Sequence, residues 1–260
     1  MEELTLKKFE EAAEKVKEAT LPTNLVYSEY FSNQTGNKVY LKPENMQYTG
    51  AYKVRGAYYK ISTMSEEARK KGLITASAGN HAQGVAFAAK KYGVKATVVM
   101  PTTTPLIKVN RTKGYGAEVV LHGDVYDEAC EYALKLAEEK GLTFVHPFDD
   151  LDVATGQGSI AMEIIKELPT VDYILVPVGG GGLALAHPTH TLRLCLMPFI
   201  NWCKPEVCAS QISKILHVIR DHFPIQSLHI ISDYVMSPLD FLLAALFDHT
   251  AVFVYILLGK

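Results

Sequence analysis

The sequence predicts an α/β fold built on open, parallel sheets. Short apolar runs of strand character alternate, from position 73 onward, with helical stretches of roughly ten to fifteen residues. The runs ATVVM at 96–100 and YILVPV at 173–178 are nearly uninterrupted by polar residues, as in strands covered by helices. The second of them leads straight into four glycines, Gly179–Gly182, which is a strand-to-loop junction rather than a flexible spacer.

Each element follows from local pattern. Phe9, Ala12, Ala13, Val16 and Ala19 recur at helical spacing, so residues 4–19 are expected to form an amphipathic helix. Lys38–Lys42 is a short strand, and Arg55–Met64 a helix. Leu73–Ala76 is a strand, followed by an alanine-rich helix at His81–Tyr92 and the strand Ala96–Met100. Pro105 suits the first turn of the next helix, because its φ is fixed and it lacks an N–H. Glu118–Leu121 is a strand and Val125–Lys140 a helix that Gly141 closes. Phe144 and Val145 form a short strand, Val153–Glu167 a helix and Tyr173–Val178 the last strand. No internal repeat or low-complexity segment occurs in residues 1–183.

Composition bounds the function. A chain of 260 residues buries roughly 70–75% of its unfolded surface, so neither disulfides nor a structural metal is needed for stability. Net charge is −2, which argues against a nucleic-acid partner. Cys130, Cys195, Cys203 and Cys208 contain no CxxC pair, and no metal site is expected. The charged, periodic start is not a signal peptide, and the cytoplasm is the default compartment. The averages conceal a break at Leu183. Residues 1–183 hold 17 of the 18 glycines, and residues 184–260 hold one.

Three stretches carry chemistry. Thr49-Gly50 is a turn, and Lys53 follows it near a helix start beside Ala51, Val54 and Ala57. The helix dipole and apolar neighbours both lower the pKa of an ammonium there, and a neutral amine can attack an aldehyde. On these residues alone, a solvated helix lysine is the competing reading. Ser77-Ala-Gly-Asn-His-Ala-Gln-Gly84 joins a strand to a helix, so small residues let backbone N–H groups approach a carboxylate or phosphate. An ordinary turn capped by Asn80 is the alternative. Gly179–Gly182 can present several N–H groups to one phosphate. No Lys-Ser/Thr pair follows them, which excludes a nucleotide P-loop.

TGAYKVRGA, SAGNHAQG and PVGGGGL, together with KPENMQ and EVVLHGDVYDEA, resemble the threonine ammonia-lyase (threonine dehydratase) branch of the fold-type-II pyridoxal-phosphate enzymes. The resemblance covers residues 1–183. It implies two open-sheet domains of the tryptophan-synthase-β type: residues 1–49 and 151–183 in the larger cofactor domain, residues 50–150 in the smaller. It implies pyridoxal 5'-phosphate as cofactor. Lys53 would carry the cofactor as a Schiff base and remove the substrate Cα proton. Tyr52 would pack near the cofactor ring, where phenylalanine is usual. Ser77, Ala78, Gly79, Asn80 and His81 would hold the substrate carboxylate, Asn80 also reaching the ring hydroxyl. Gly179, Gly180, Gly181, Gly182 and Leu183 would bind the phosphate. Related serine racemases typically carry serine at position 78, so Ala78 favours elimination, giving 2-oxobutanoate from L-threonine or pyruvate from L-serine. A biosynthetic role, as in isoleucine formation, and a degradative one both fit. A small-molecule amino acid is the expected partner, with a homo-oligomer expected from the family and no membrane.

Residues 184–260 do not continue the resemblance, and no counterpart of the family's partner for the pyridine nitrogen can be placed there. A reading-frame change or chimeric end, a divergent domain, and a membrane anchor at 241–259 are the three accounts. The third is disfavoured because Asp248 and His249 split the apolar run. A truncated, inactive paralogue is therefore the rival to an active lyase.

Overall fold

In the computed structural model, residues 4–178, 183, 193–198, 229–230 and 253–258 are described. Two sheets organise them. The first is four-stranded and wholly parallel, with β3 (Leu73–Ala76), β4 (Ala96–Met100), β5 (Glu118–Leu121) and β6 (Thr143–Phe144) in the order β5-β4-β3-β6. The second is mixed, in the order β1-β2-β10-β7-β8-β9. Its strands are β1 (Val26–Tyr27), β2 (Lys38–Pro43), β7 (Tyr173–Val178), β8 (Arg193–Pro198), β9 (His229–Ile230) and β10 (Phe253–Leu258).

The apolar runs form strands where the sequence places them: β3, β4, β5 and β7 have the expected bounds. The helices are α1 (Leu6–Val16), α2 (Glu29–Thr35), α3 (Lys53–Thr63), α4 (Glu66–Lys70), α5 (Asn80–Tyr92), α6 (Leu106–Gly114), α7 (Tyr126–Lys140) and α8 (Leu151–Glu167). Several boundaries shift, among them α1, shorter at both ends than the expected 4–19, and α8, which begins at Leu151; three others shift for readable physical reasons. Helix α3 begins at Lys53 because Tyr52 is already helical. Pro105 is the cap of α6 with ψ of 133°, so it precedes the helix instead of opening it. Strand β6 is displaced by one residue. The Val145 N–H still bonds to the Ile74 carbonyl at 2.8 Å, but Val145 lies beyond the ladder. Gly141 closes α7 in the left-handed region, with φ of 65°, as its type suggests.

Helices α3 and α5 cover one face of the parallel sheet with Ala57, Ile61, Ala82, Val85 and Ala86, and α7 covers the other through Ala129, Ala133 and Leu136. Small side chains dominate both layers, so backbones approach closely. The closest approach is between α3 and α8. A Cβ on Gly156 would lie 2.7 Å from the Gly56 Cα and 2.8 Å from the Arg55 carbonyl oxygen.

Beyond Leu183, three described strands join the mixed sheet. Strand β8 lies parallel to β7, and β10 sits antiparallel between β2 and β7. The run 253–258 is thus sheet, and among the described residues no helix is long and apolar enough to cross a membrane.

Candidate active site

The strand order creates a crevice. Successive strands run β3, β4, β5 toward one edge, and then β6 returns to the other side of β3. The sheet therefore switches direction between β3 and β6, and crevices outside the carboxyl ends of strands at such points are the usual ligand sites of open α/β sheets. The segment Ser77–Asn80 leaves the carboxyl end of β3, and residues 145–149 leave that of β6.

Lys53 reaches this point from α3. Its Nζ donates a 2.8 Å hydrogen bond to the carbonyl oxygen of Pro147, in the segment after β6. It lies 5.8 Å from the centre of the Tyr52 ring. Lys53 keeps some access to solvent, yet burial pushes its pKa from 10.5 down to about 8. Burial also pushes the Tyr52 phenol up, so that ring stays neutral. Helix α5 packs against the start of α3 at Gly84: a Cβ there would stand 3.1 Å from the Lys53 carbonyl oxygen.

The loop after β3 is held from within. The Ser77 N–H donates to Val99 O at 3.1 Å, and Ser77 Oγ accepts from the Gly79 N–H at 3.3 Å. Gly79 is the cap of α5 and Asn80 its first residue, so Asn80 is not the cap. His81 is buried, with Nε2 3.3 Å from the Val145 carbonyl oxygen. A carbonyl only accepts, so Nε2 carries the hydrogen and Nδ1 is a bare acceptor. That Nδ1 has no partner among the described residues. Burial, with the nearby Lys53 charge, drives the His81 pKa down to about 3. His146 is also lowered, first by burial. Its Nδ1 accepts from the Asp149 N–H at 2.7 Å, which orders the turn around Pro147.

Of the residues singled out in the sequence, Tyr52, Lys53 and the 77–81 segment meet at the switch point. Leu183 is buried, and Gly179–Gly182 lie outside the described residues. Sequence reasoning missed the support beneath Lys53. Arg55, on the same helix, donates from Nε and Nη2 to both oxygens of Glu44, each at 2.8 Å. It donates from Nη1 and Nη2 to Glu163 at 2.7 and 2.9 Å, and from Nη1 to Ser159 Oγ at 3.1 Å. Lys42 adds a 2.6 Å bond to Glu163. Burial alone would lower the Arg55 pKa, but Glu44 and Glu163 overcome it and hold the guanidinium charged. At the far end of α3, Lys60 bridges Asp150 and Asp152 at 2.8 and 3.0 Å. The signal was a charged residue between Val54 and Gly56 on an otherwise apolar helix face.

Comparison with known proteins gives the family and the fold. The chain is 52% identical to an L-threonine ammonia-lyase of Thermotoga maritima over 180 residues, 69% of the chain and 45% of that protein. It resembles the solved structure of the processed form of threonine deaminase isoform 2 from Solanum lycopersicum, with a TM-score of 0.69 and 37% identity over 75% of this chain and 56% of that one. Serine racemase from Dictyostelium discoideum matches with a TM-score of 0.76 and 27% identity over 88% and 81%. The chain spans about half the length of the curated relatives it matches. Residues 16–200 match the family described as pyridoxal-phosphate dependent enzyme, and with the lysine and the loop at the switch point, the chain belongs to that family.

Proposed function

We propose that the chain is a pyridoxal-phosphate-dependent ammonia-lyase that converts L-threonine to 2-oxobutanoate and ammonia, with L-serine, which would give pyruvate, as the other substrate the reading admits. The observation that carries this reading is the convergence of the Lys53 amine and the 77–80 loop on the β3/β6 switch point. The names of the curated relatives support the choice of substrate. The same reading takes residues 50–150 as the smaller domain and 1–49 with 151–183 as part of the larger.

The described residues fit the cofactor. An amine with a pKa of about 8 is partly neutral at neutral pH, the form that condenses with an aldehyde. The aromatic face of Tyr52 lies beside it. In this reading the backbone N–H groups of Gly179–Gly182 and Leu183 hold the phosphate. When bound, the pyridine ring supplies a sink for the electrons of the broken substrate Cα–H bond. Lys53 takes the Cα proton, a role worth about 10²–10⁴-fold for a well-placed base. In this reading the N–H groups of residues 78, 80 and 81 orient the substrate carboxylate, those of Ser77 and Gly79 being engaged by Val99 and Ser77 Oγ, and the α5 helix start adds positive potential. Neutral His81 holds the segment after β6 through Val145 and brings no competing charge. Ala78 has no group that could return a proton to the opposite face of Cα, which favours loss of the β-hydroxyl over racemisation.

The purified chain, incubated with pyridoxal phosphate, should show a long-wavelength absorbance that borohydride bleaches and that Lys53→Ala abolishes. Ammonia should be released from L-threonine. Colourless, aggregated protein would sink this reading.

A further inference from the structure

Lys108 stands where the proposed function has no use for it as yet. It lies in the first turn of α6, and its side chain extends to Gly79 in the loop after β3. A Cβ built on Gly79 would be 3.7 Å from the Lys108 Nζ and 4.0 Å from its Cδ. Both the charge and the stem thus lie in van der Waals range of the position a side chain at Gly79 would take. Among the described residues the Lys108 ammonium has no hydrogen-bond or ion-pair partner. Its ammonium therefore adds positive charge beside the loop's remaining N–H groups.

We propose that Lys108 is a substrate-binding residue: its ammonium pairs with the carboxylate that the 77–81 loop receives, and selects carboxylates over neutral amides. The proposal rests on the ammonia-lyase reading and deepens it. Loop N–H groups are neutral donors that can also donate to a carboxamide oxygen, though less strongly than to a carboxylate. A cation in the same place adds a term that only the anion feels. Because Lys108 comes from α6 and the loop from the β3–α5 junction, the two halves of the clamp belong to different elements. The half-exposed setting leaves the pair open to screening by salt.

The test uses the cofactor-loaded chain and two unreactive probes, L-2-aminobutanoate and its carboxamide, titrated calorimetrically at low and high salt. Lys108→Gln should weaken binding of the carboxylate by about 10- to 100-fold, the range of one charge-assisted hydrogen bond, and leave the carboxamide unchanged. Lys108→Arg should keep most of the carboxylate affinity. The salt dependence of carboxylate binding should flatten in Lys108→Gln. Equal losses for both probes, or no loss for the carboxylate, would overturn the role of Lys108. If L-threonine still releases ammonia in that case, the ammonia-lyase reading stands alone. A wild-type chain that binds neither probe overturns both.

Discussion

Arg55 and Glu44 face each other as a two-bond pair with no solvent exposure on either side chain. Glu163 closes the guanidinium from another side. Charges removed from water this completely are tolerated only while every partner is present, because a lone buried charge keeps the desolvation cost and loses the attraction. Arg55→Met should therefore cost about 3–5 kcal/mol in urea unfolding. Arg55→Met/Glu44→Leu should cost less than Arg55→Met alone, since one orphaned carboxylate is removed with its partner. A double variant less stable than the single one would contradict this account.

Gly56 and Gly156 let α3 and α8 touch. A Cβ on Gly156 would meet the Tyr59 Cβ at 2.7 Å as well as the Gly56 backbone. Backbone cannot yield as a flexible side chain can, so Gly156→Ala should destabilise by at least the ~1–3 kcal/mol typical of overpacking. Gly114→Ala, where nothing lies within 4 Å, is the control and should be near neutral. Thermal melting of the two variants side by side reads the difference.

Lys53 trades stability for reactivity. Its folded pKa of about 8 lies below its ordinary 10.5, so the unfolded chain binds more protons between those values and stability rises with pH across that window. Below about pH 8 the burial cost is fully present. Lys53→Met should thus stabilise the cofactor-free chain by about 1–2 kcal/mol at pH 7, allowing for the lysine's partial exposure. The gain should fade from pH 8 to 10.5, while covalent cofactor attachment is lost at every pH. Melting curves against pH would show whether the advantage fades as stated.

His81 sets the acid side. Its folded pKa of about 3 lies below the ordinary 6.5, so the unfolded chain takes up the proton first and stability falls as pH drops from 6.5 toward 3. His146, lowered in the same direction, adds to the early part of this decline. Glu163 acts later. Arg55 and Lys42 outweigh its burial and hold its pKa below 4.5, so its contribution is complete above that pH and is lost below it. His81→Gln should flatten the decline between pH 6.5 and 4.5 and leave the steeper loss below 4.5. Denaturant midpoints at half-unit pH steps would separate the two phases.

What could be seen in the sequence was local. Strands β3, β4, β5 and β7 are apolar runs with sharp edges, so their bounds were legible. Strand β1 has two residues and α4 five, too short for any period to register. Lys53 and the 77–81 segment were visible as motifs, because each works through consecutive residues. The Pro147 carbonyl was not visible, since any residue type carries that oxygen and it lies 94 positions from Lys53. Nor was Arg55 with Glu163, which are 108 positions apart with no spacing to link them. The crevice itself depends on strand order, which is a property of pairing rather than of composition.

The buried charges also impose an order of assembly on the nascent chain. Lys42, Glu44 and Arg55 leave the ribosome close together with one positive charge in excess, and Glu163 is made 108 residues after Arg55. At about 5–20 residues per second that delay is roughly 5–20 seconds. Until then the cluster lacks the carboxylate that pairs with Lys42 and with the other edge of Arg55, so its burial can be completed only after a residue that translation supplies much later.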